Sequence, residues 1–210
     1  MRVKLIISAV VLSMAFVIGI YFSGNNRSAS SPNITGLLWP DPPELGTFSL
    51  IDAQGNAFTE QELSGRWTLV FFGFTNCPDI CPTTMATLNE VYSRVQMNDE
   101  VLEKIQVLFV SVDPERDKAE TLESYVGNFN SDFIGATANK ESLEQFTRQF
   151  GIAYMKVKIP GSADYSMDHT ASILLVDPML RFVGIFSRPH EATDITDRLV
   201  QIASFVASNG

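Results

Sequence analysis

The sequence predicts an α/β domain, a mixed central sheet flanked by helices, behind an N-terminal transmembrane helix. Three observations carry this. Beyond residue 66, apolar runs of strand length alternate with stretches of helical periodicity, the pattern of strands joined by covering helices. Near the C-terminus two strands joined at Asp177-Pro178 precede a last helix and add antiparallel pairs to the sheet. At the other end, Leu5 to Phe22 form an uncharged run of 18 residues. A length of 210 residues suits one sizeable core rather than two.

The N-terminal run, LIISAVVLSMAFVIGIYF, follows Arg2 and Lys4. As a helix it would span roughly 27 Å, close to the hydrocarbon thickness of a bilayer. A cleavable signal peptide has a shorter apolar region, about 7 to 15 residues, ahead of a small-residue cleavage site. Phe22 is followed instead by Ser-Gly-Asn-Asn, so an uncleaved anchor over residues 1–22 is expected, although Ser28-Ala29-Ser30 leaves room for cleavage. The basic residues ahead of the run place the N-terminus in the cytoplasm and the remainder outside it. In a bacterium this means a single pass through the inner membrane with the domain in the periplasm. Residues 23–43, rich in Ser, Asn, Gly and Pro, read as a tether, within which Leu37, Leu38 and Trp39 are expected to dock on the domain of residues 44–210.

Within the domain, Phe48 to Ile51 and Ala57-Phe58 flank the turn residues 52–56 and predict a short hairpin. Arg66 to Phe74 is apolar on both faces and predicts a central strand. Met85, Leu88, Val91, Tyr92 and Val95 recur at helical spacing and predict a helix from about Pro82 to Gln96. Val107 to Val112 follows as a second buried strand, and Ala119 to Phe129 and Lys140 to Phe150 as helices. Ile152 to Ile159, Ala171 to Val176 and Arg181 to Phe186 read as strands, and Thr193 to Ala207 as the closing helix. The opening order, a central strand, a cysteine-bearing loop and a helix, is the thioredoxin-like arrangement. Ligand sites in such sheets lie beyond the carboxyl ends of the parallel strands, where Phe74 and Val112 stand.

Charge excludes one broad class of partner. With 15 basic and 24 acidic residues the net charge is −9, opposite in sign to what phosphate neutralisation requires, so no nucleic-acid partner is expected. Arg2, Lys4 and Arg27 precede the first acid, Asp41, leaving 12 basic and 24 acidic residues beyond them. Such an acidic charge can attract a basic partner surface or keep the domain soluble, and solubility is the favoured reading.

Two cysteines and two histidines are all the strong redox or transition-metal chemistry the chain offers. Cys77-Pro78-Asp79-Ile80-Cys81-Pro82 directly follows the central strand. Pro82 suits the first helical position, because its missing N–H would be unsatisfied there. This puts Cys81 near the N-cap, where the helix dipole favours thiolate over thiol. The pair can be a structural disulfide, a redox couple or a metal clamp. A bridge closing so short a loop stabilises little, and three intervening residues depart from the Cys-x-x-Cys pattern of thioredoxins.

His169 lies in Tyr165 to Thr170, read as the loop before the strand Ala171 to Val176. In a thioredoxin-like fold that loop faces the cysteines, and thioredoxins carry a cis-proline there. Neither Thr170 nor Ala171 is proline, so the usual platform for a disulfide substrate is missing. Two thiolates and an imidazole make a three-ligand set for a soft cation, copper foremost. His190 is expected on the surface. Of the two nearby thioethers, Met167 is a soft sulfur and Met155 is assigned to the core. Asp113 is read as a supporting acceptor near the site or as a turn residue before Pro114.

Phe72 to Pro82, Val110-Ser111-Val112-Asp113-Pro114-Glu115-Arg116-Asp117 and Asp168-His169-Thr170 resemble the Sco/SenC family in order and spacing. The lead-in Leu38-Trp39-Pro40 and the N-terminal anchor are similar too, so the resemblance covers nearly the whole chain. It implies a thioredoxin-like domain that binds one copper, Cu(I) or Cu(II), through Cys77, Cys81 and His169. It implies further that the protein helps to assemble the binuclear copper centre of cytochrome c oxidase, with that oxidase subunit, other copper chaperones or thiol reductants as partners. Family members differ between delivering copper and reducing the target's cysteines. In the second role Cys77 and Cys81 are catalytic, Cys77 attacking and Cys81 resolving, as in a thiol-disulfide reductase. A peroxiredoxin-like peroxidase fits poorly, because the Thr-x-x-Cys pattern is absent.

Overall fold

The computed structural model describes residues 34–98, 102 and 104–209. The N-terminal anchor expected from the sequence falls outside them. Among the described residues no helix is long and apolar enough to cross a membrane. The compact unit begins at Ile34.

Among the described residues nine strands and five helices follow in order: β1 (Leu50–Asp52), β2 (Ala57–Phe58), α1 (Glu60–Leu63), β3 (Trp67–Gly73), α2 (Ile80–Asn98), β4 (Ile105–Ser111), α3 (Ala119–Gly127), β5 (Ile134–Thr137), α4 (Lys140–Gln149), β6 (Tyr154–Lys158), β7 (Tyr165–His169), β8 (Ile173–Val176), β9 (Phe182–Phe186) and α5 (Ala192–Asn209). Seven strands form one mixed sheet in the order β2-β1-β5-β4-β3-β8-β9, and β6 and β7 form a separate hairpin. Strands β3, β4 and β5 run parallel, while β8 runs antiparallel to β3. This is the mixed sheet flanked by helices that the sequence predicts.

The apolar run of β3 is central because every one of its residues is buried, as a strand covered on both faces must be. Its alternation divides the core. Phe71 packs toward Phe109, which in turn meets Tyr125 of α3. Phe72 points the other way, onto Phe146 and Phe150. Phe71, Phe72, Phe109, Phe146 and Phe186 are fully buried, each contributing about 1.5 to 3 kcal/mol of transfer free energy. The predicted β1–β2 turn forms around Asp52, whose carboxylate accepts from the Gln54 and Asn56 amides at 2.9 and 2.7 Å.

Leu37, Leu38 and Trp39 dock as expected. The Leu38 and Ile185 amides donate to Val183 and Gly36 carbonyls, both at 2.8 Å, so this segment lies along β9 and covers the edge of the sheet. Gly36 has φ +87°, and a Cβ there would sit 2.1 Å from the Ile185 carbonyl oxygen. Trp39 caps the arrangement edge-on against Phe205 at 5.2 Å.

Three elements escape the sequence reading. Helix α1 carries one buried apolar residue, Leu63, and rests on a Thr59–Glu62 capping box rather than on an apolar stripe. Strand β5 is Ile-Gly-Ala-Thr, short and small, because α3 lies close over it: a Cβ on Gly135 would be 3.2 Å from Val126 Cγ1. Strand β7 is largely polar and pairs only with β6. Met155, assigned to the core by its place in a predicted strand, is instead 61% exposed. Strand β6 is exposed at four of its five positions, so this run does not enter the core.

Candidate metal centre

The site forms where β3 ends, at the Phe74–Asp79 loop and the first turn of α2. Cys77 is half-buried and Cys81 wholly buried, and both are free thiols. Helix α2 begins at Ile80, two residues before the start expected at Pro82, so Cys81 lies inside the first turn rather than at the cap. The helix-terminal amide serves the other cysteine: the Cys81 N–H donates to Cys77 Sγ at 3.4 Å. Burial pushes the Cys81 thiol strongly up from its ordinary pKa. The expectation that the helix dipole favours a Cys81 thiolate is therefore corrected, since loss of hydration outweighs the dipole.

His169 stands at the end of β7, paired with Tyr154 in antiparallel register, not in a loop. Its Nε2 lies 3.6 Å from Cys81 Sγ, and its Nδ1 lies 3.1 Å from the Thr170 carbonyl oxygen. A carbonyl only accepts, so the proton belongs on Nδ1 and the Nε2 lone pair faces the sulfur. Burial lowers the pKa of the imidazole, which keeps it neutral and in the form that ligates metals. Phe71 and Phe74 flank the ring edge-on at 6.2 and 6.0 Å.

The convergence is thus partial. Cys81 and His169 touch, and Cys77 stands beside Cys81 with its sulfur on the amide. Among the described residues no three His, Cys, Asp or Glu side chains form a ready-made metal cluster. Two thiols and a neutral imidazole are nonetheless a donor set matched to a soft cation. Metal–sulfur and metal–nitrogen bonds of about 2.3 and 2.0 Å, as at zinc, would let one ion span the 3.6 Å gap between Cys81 and His169.

Two carboxylates hold the pieces. Asp117, only 1% exposed, accepts from the Thr75 amide at 2.8 Å, the Thr75 hydroxyl at 2.6 Å and the Ser111 hydroxyl. It thereby ties the cysteine loop to the end of β4. Asp117 was visible in the sequence only as part of a motif. Its signal, an acid just past a parallel strand end with hydroxyls opposite, does not distinguish it from a surface turn residue. Asp113 is buried too, and accepts from Arg116 Nε and from the Tyr165 hydroxyl at 2.8 Å. Arg116 continues to Asp164 and to the Tyr165 carbonyl, both at 2.9 Å, and lies over the Tyr165 ring at 3.8 Å. Asp113 therefore fastens the β6–β7 hairpin.

His190 does not lie on the surface. Its ring is half-buried between Thr84 Oγ1 and the Phe186 carbonyl, 3.2 Å from each, in the segment that leads into α5, which packs on α2. It is not brought to the cysteines.

A family model described as SCO1/SenC matches residues 40–204. The mitochondrial SCO1 homolog 1 of Arabidopsis thaliana is 36% identical over 156 residues, which cover 74% of this chain and 46% of that protein. A SCO2-like protein of Rickettsia prowazekii is 30% identical over 205 residues, covering 94% of this chain and 98% of the relative. Among solved structures, Arabidopsis thaliana ScoI with copper bound matches with a TM-score of 0.72 at 34% identity, over 76% of this chain and 98% of that one. This chain spans about half the length of the mitochondrial relatives, 46% of the Arabidopsis protein and 57% of the bovine SCO2 homolog.

Proposed function

This chain belongs to the SCO1/SenC family, and from that membership and its site we propose a membrane-anchored copper chaperone that holds copper through Cys77, Cys81 and His169. Its target is the binuclear copper centre of cytochrome c oxidase, reached from the periplasmic side of the inner membrane. The observation that carries the reading is the approach of His169 Nε2 to Cys81 Sγ at 3.6 Å, which brings an imidazole from a separate hairpin onto the cysteine loop. The copper in the Arabidopsis structure supports the same cargo. Copper(I) is served by the two sulfurs, whereas copper(II) draws on the imidazole. Binding displaces the thiol protons.

The test is copper titration of the purified domain. His169→Ala is expected to lower copper(II) affinity by at least about tenfold and to change the copper(II) absorption, while copper(I) stays on the cysteines. Unchanged affinity and absorption would remove His169 from the ligand set.

One observation favours a second reading, a thiol-disulfide reductant for the copper-ligating cysteines of the oxidase subunit. Cys77 is partly exposed and Cys81 fully buried, the division expected of an attacking and a resolving thiol. A Cys81→Ser variant is then expected to trap a mixed disulfide with a peptide carrying that cysteine pair in oxidised form. Absence of any trapped species counts against this role.

A further inference from the structure

Met167 stands two residues before His169 on β7. Side chains alternate along a strand, so the two share one face of the hairpin. Burial follows the same alternation: Met167 is buried, Asp168 exposed and His169 half-buried. Met167 consequently lines the same cleft as Phe74, Cys77, Pro78 and His169. Asp79 and Asp168 also reach this cleft, but a soft cation selects sulfur over carboxylate.

Met167 belongs to the hydrophobic core, yet its neighbours do not enclose it completely. On its other side Met167 borders a second cavity under the hairpin, with Val112 and Ile152 in its wall. It therefore has free space on two sides, and its unbranched thioether is able to turn toward either. Met155 provides the contrast. It pairs across the hairpin with Asp168, is 61% exposed, and does not line the cleft that holds Cys77.

We propose that Met167 is a further ligand to the bound copper, a thioether added to Cys77, Cys81 and His169. The inference rests on the copper reading above. Thioethers bind copper(I) well and serve as weak, long ligands to copper(II), so the contribution falls mainly on the reduced ion.

The test uses the domain labelled with selenomethionine and loaded with one copper(I). X-ray absorption at the copper edge is expected to show a selenium neighbour, and Met167→Leu labelled in the same way is expected to lose it. Leucine is close in volume and costs under about 1.5 kcal/mol in a core, so the variant folds. Met167→Leu is also expected to weaken copper(I) about tenfold in competition with a chromophoric chelator, while Met155→Leu leaves affinity unchanged. No selenium neighbour in the labelled parent chain overturns the proposal. So does weaker binding by Met167→Leu without a selenium signal, which would mean packing alone. Failure of the parent chain to bind copper at all overturns the copper reading itself, and this inference with it.

Discussion

Asp117→Ala is expected to destabilise the domain by about 3 to 5 kcal/mol, two to three hydrogen bonds to a charged acceptor at roughly 1.5 to 3 kcal/mol each, discounted for partial rescue by water. The Asp117 carboxylate is almost fully buried and gathers the Thr75 amide, the Thr75 hydroxyl and the Ser111 hydroxyl. Ser111 in turn accepts from the Asp113 amide at 3.0 Å, so the deletion also strips order from the segment after β4. Thr75 is half-buried and recovers some hydration, whereas Ser111 is 0% exposed and recovers none. The loop two residues before Cys77 loses its tie, and Cys77 is expected to react faster with an alkylating reagent in the folded protein. Urea unfolding and alkylation rates measure the two effects separately. A shift below about 1 kcal/mol, within the range of an ordinary hydrogen bond, would show that Asp117 is not the brace described.

Gly73→Ala is expected to damage both the core and the site. A Cβ at Gly73 would lie 2.8 Å from Phe109 Cε2 and 3.0 Å from Cys81 Sγ. The backbone cannot retreat easily, since Gly73 pairs with Ser111 and accepts from the Val112 amide at 2.8 Å. Phe109 is held by Phe71 and Tyr125, so the sulfur is the softer neighbour, and moving it breaks its contact with His169. Overpacking of this kind costs about 1 to 3 kcal/mol, roughly 2 to 12 °C in melting temperature at this size. Copper affinity is expected to fall with it. Thermal unfolding and copper titration of the same preparation decide the matter: an unchanged melting point would mean that the strand end yields more than its pairing implies.

Much of this architecture was legible in the chain because burial leaves long signatures. Trp67 to Gly73 is apolar at every position that needs to be, and α2 repeats its apolar residues through Val95. Cys77, Cys81 and His169 stood out because the chain holds so few such side chains and because their flanking motifs match a known family. What stayed hidden depends on contacts between distant segments. Nothing near Tyr165 to His169 announces a strand, since its only partner is another half-exposed strand. His190 reads as a surface residue because its partners, Thr84 and the Phe186 carbonyl, come from segments far from it or from each other in the chain, brought together where α5 packs on α2. The protonation preference of Cys81 was misread for a related reason: a helix dipole can be located from a proline, but the depth at which a sulfur is buried cannot.

On the proposed copper reading, the separation of β6 and β7 from the main sheet bears on how a held ion would be let go. His169 is attached to the rest of the domain through side chains, chiefly Arg116 with Asp113, Asp164 and Tyr165, and Lys156 with Glu115 at 2.7 Å. No backbone ladder joins the hairpin to β3 or β8. Withdrawing the imidazole would therefore part these polar contacts and the ring's edge-on contacts with Phe71 and Phe74, while the ladders of the main sheet stay paired. The grip on an ion and the pairing of the sheet thus rest on partly different contacts, which meet at Phe71, Phe74 and Cys81.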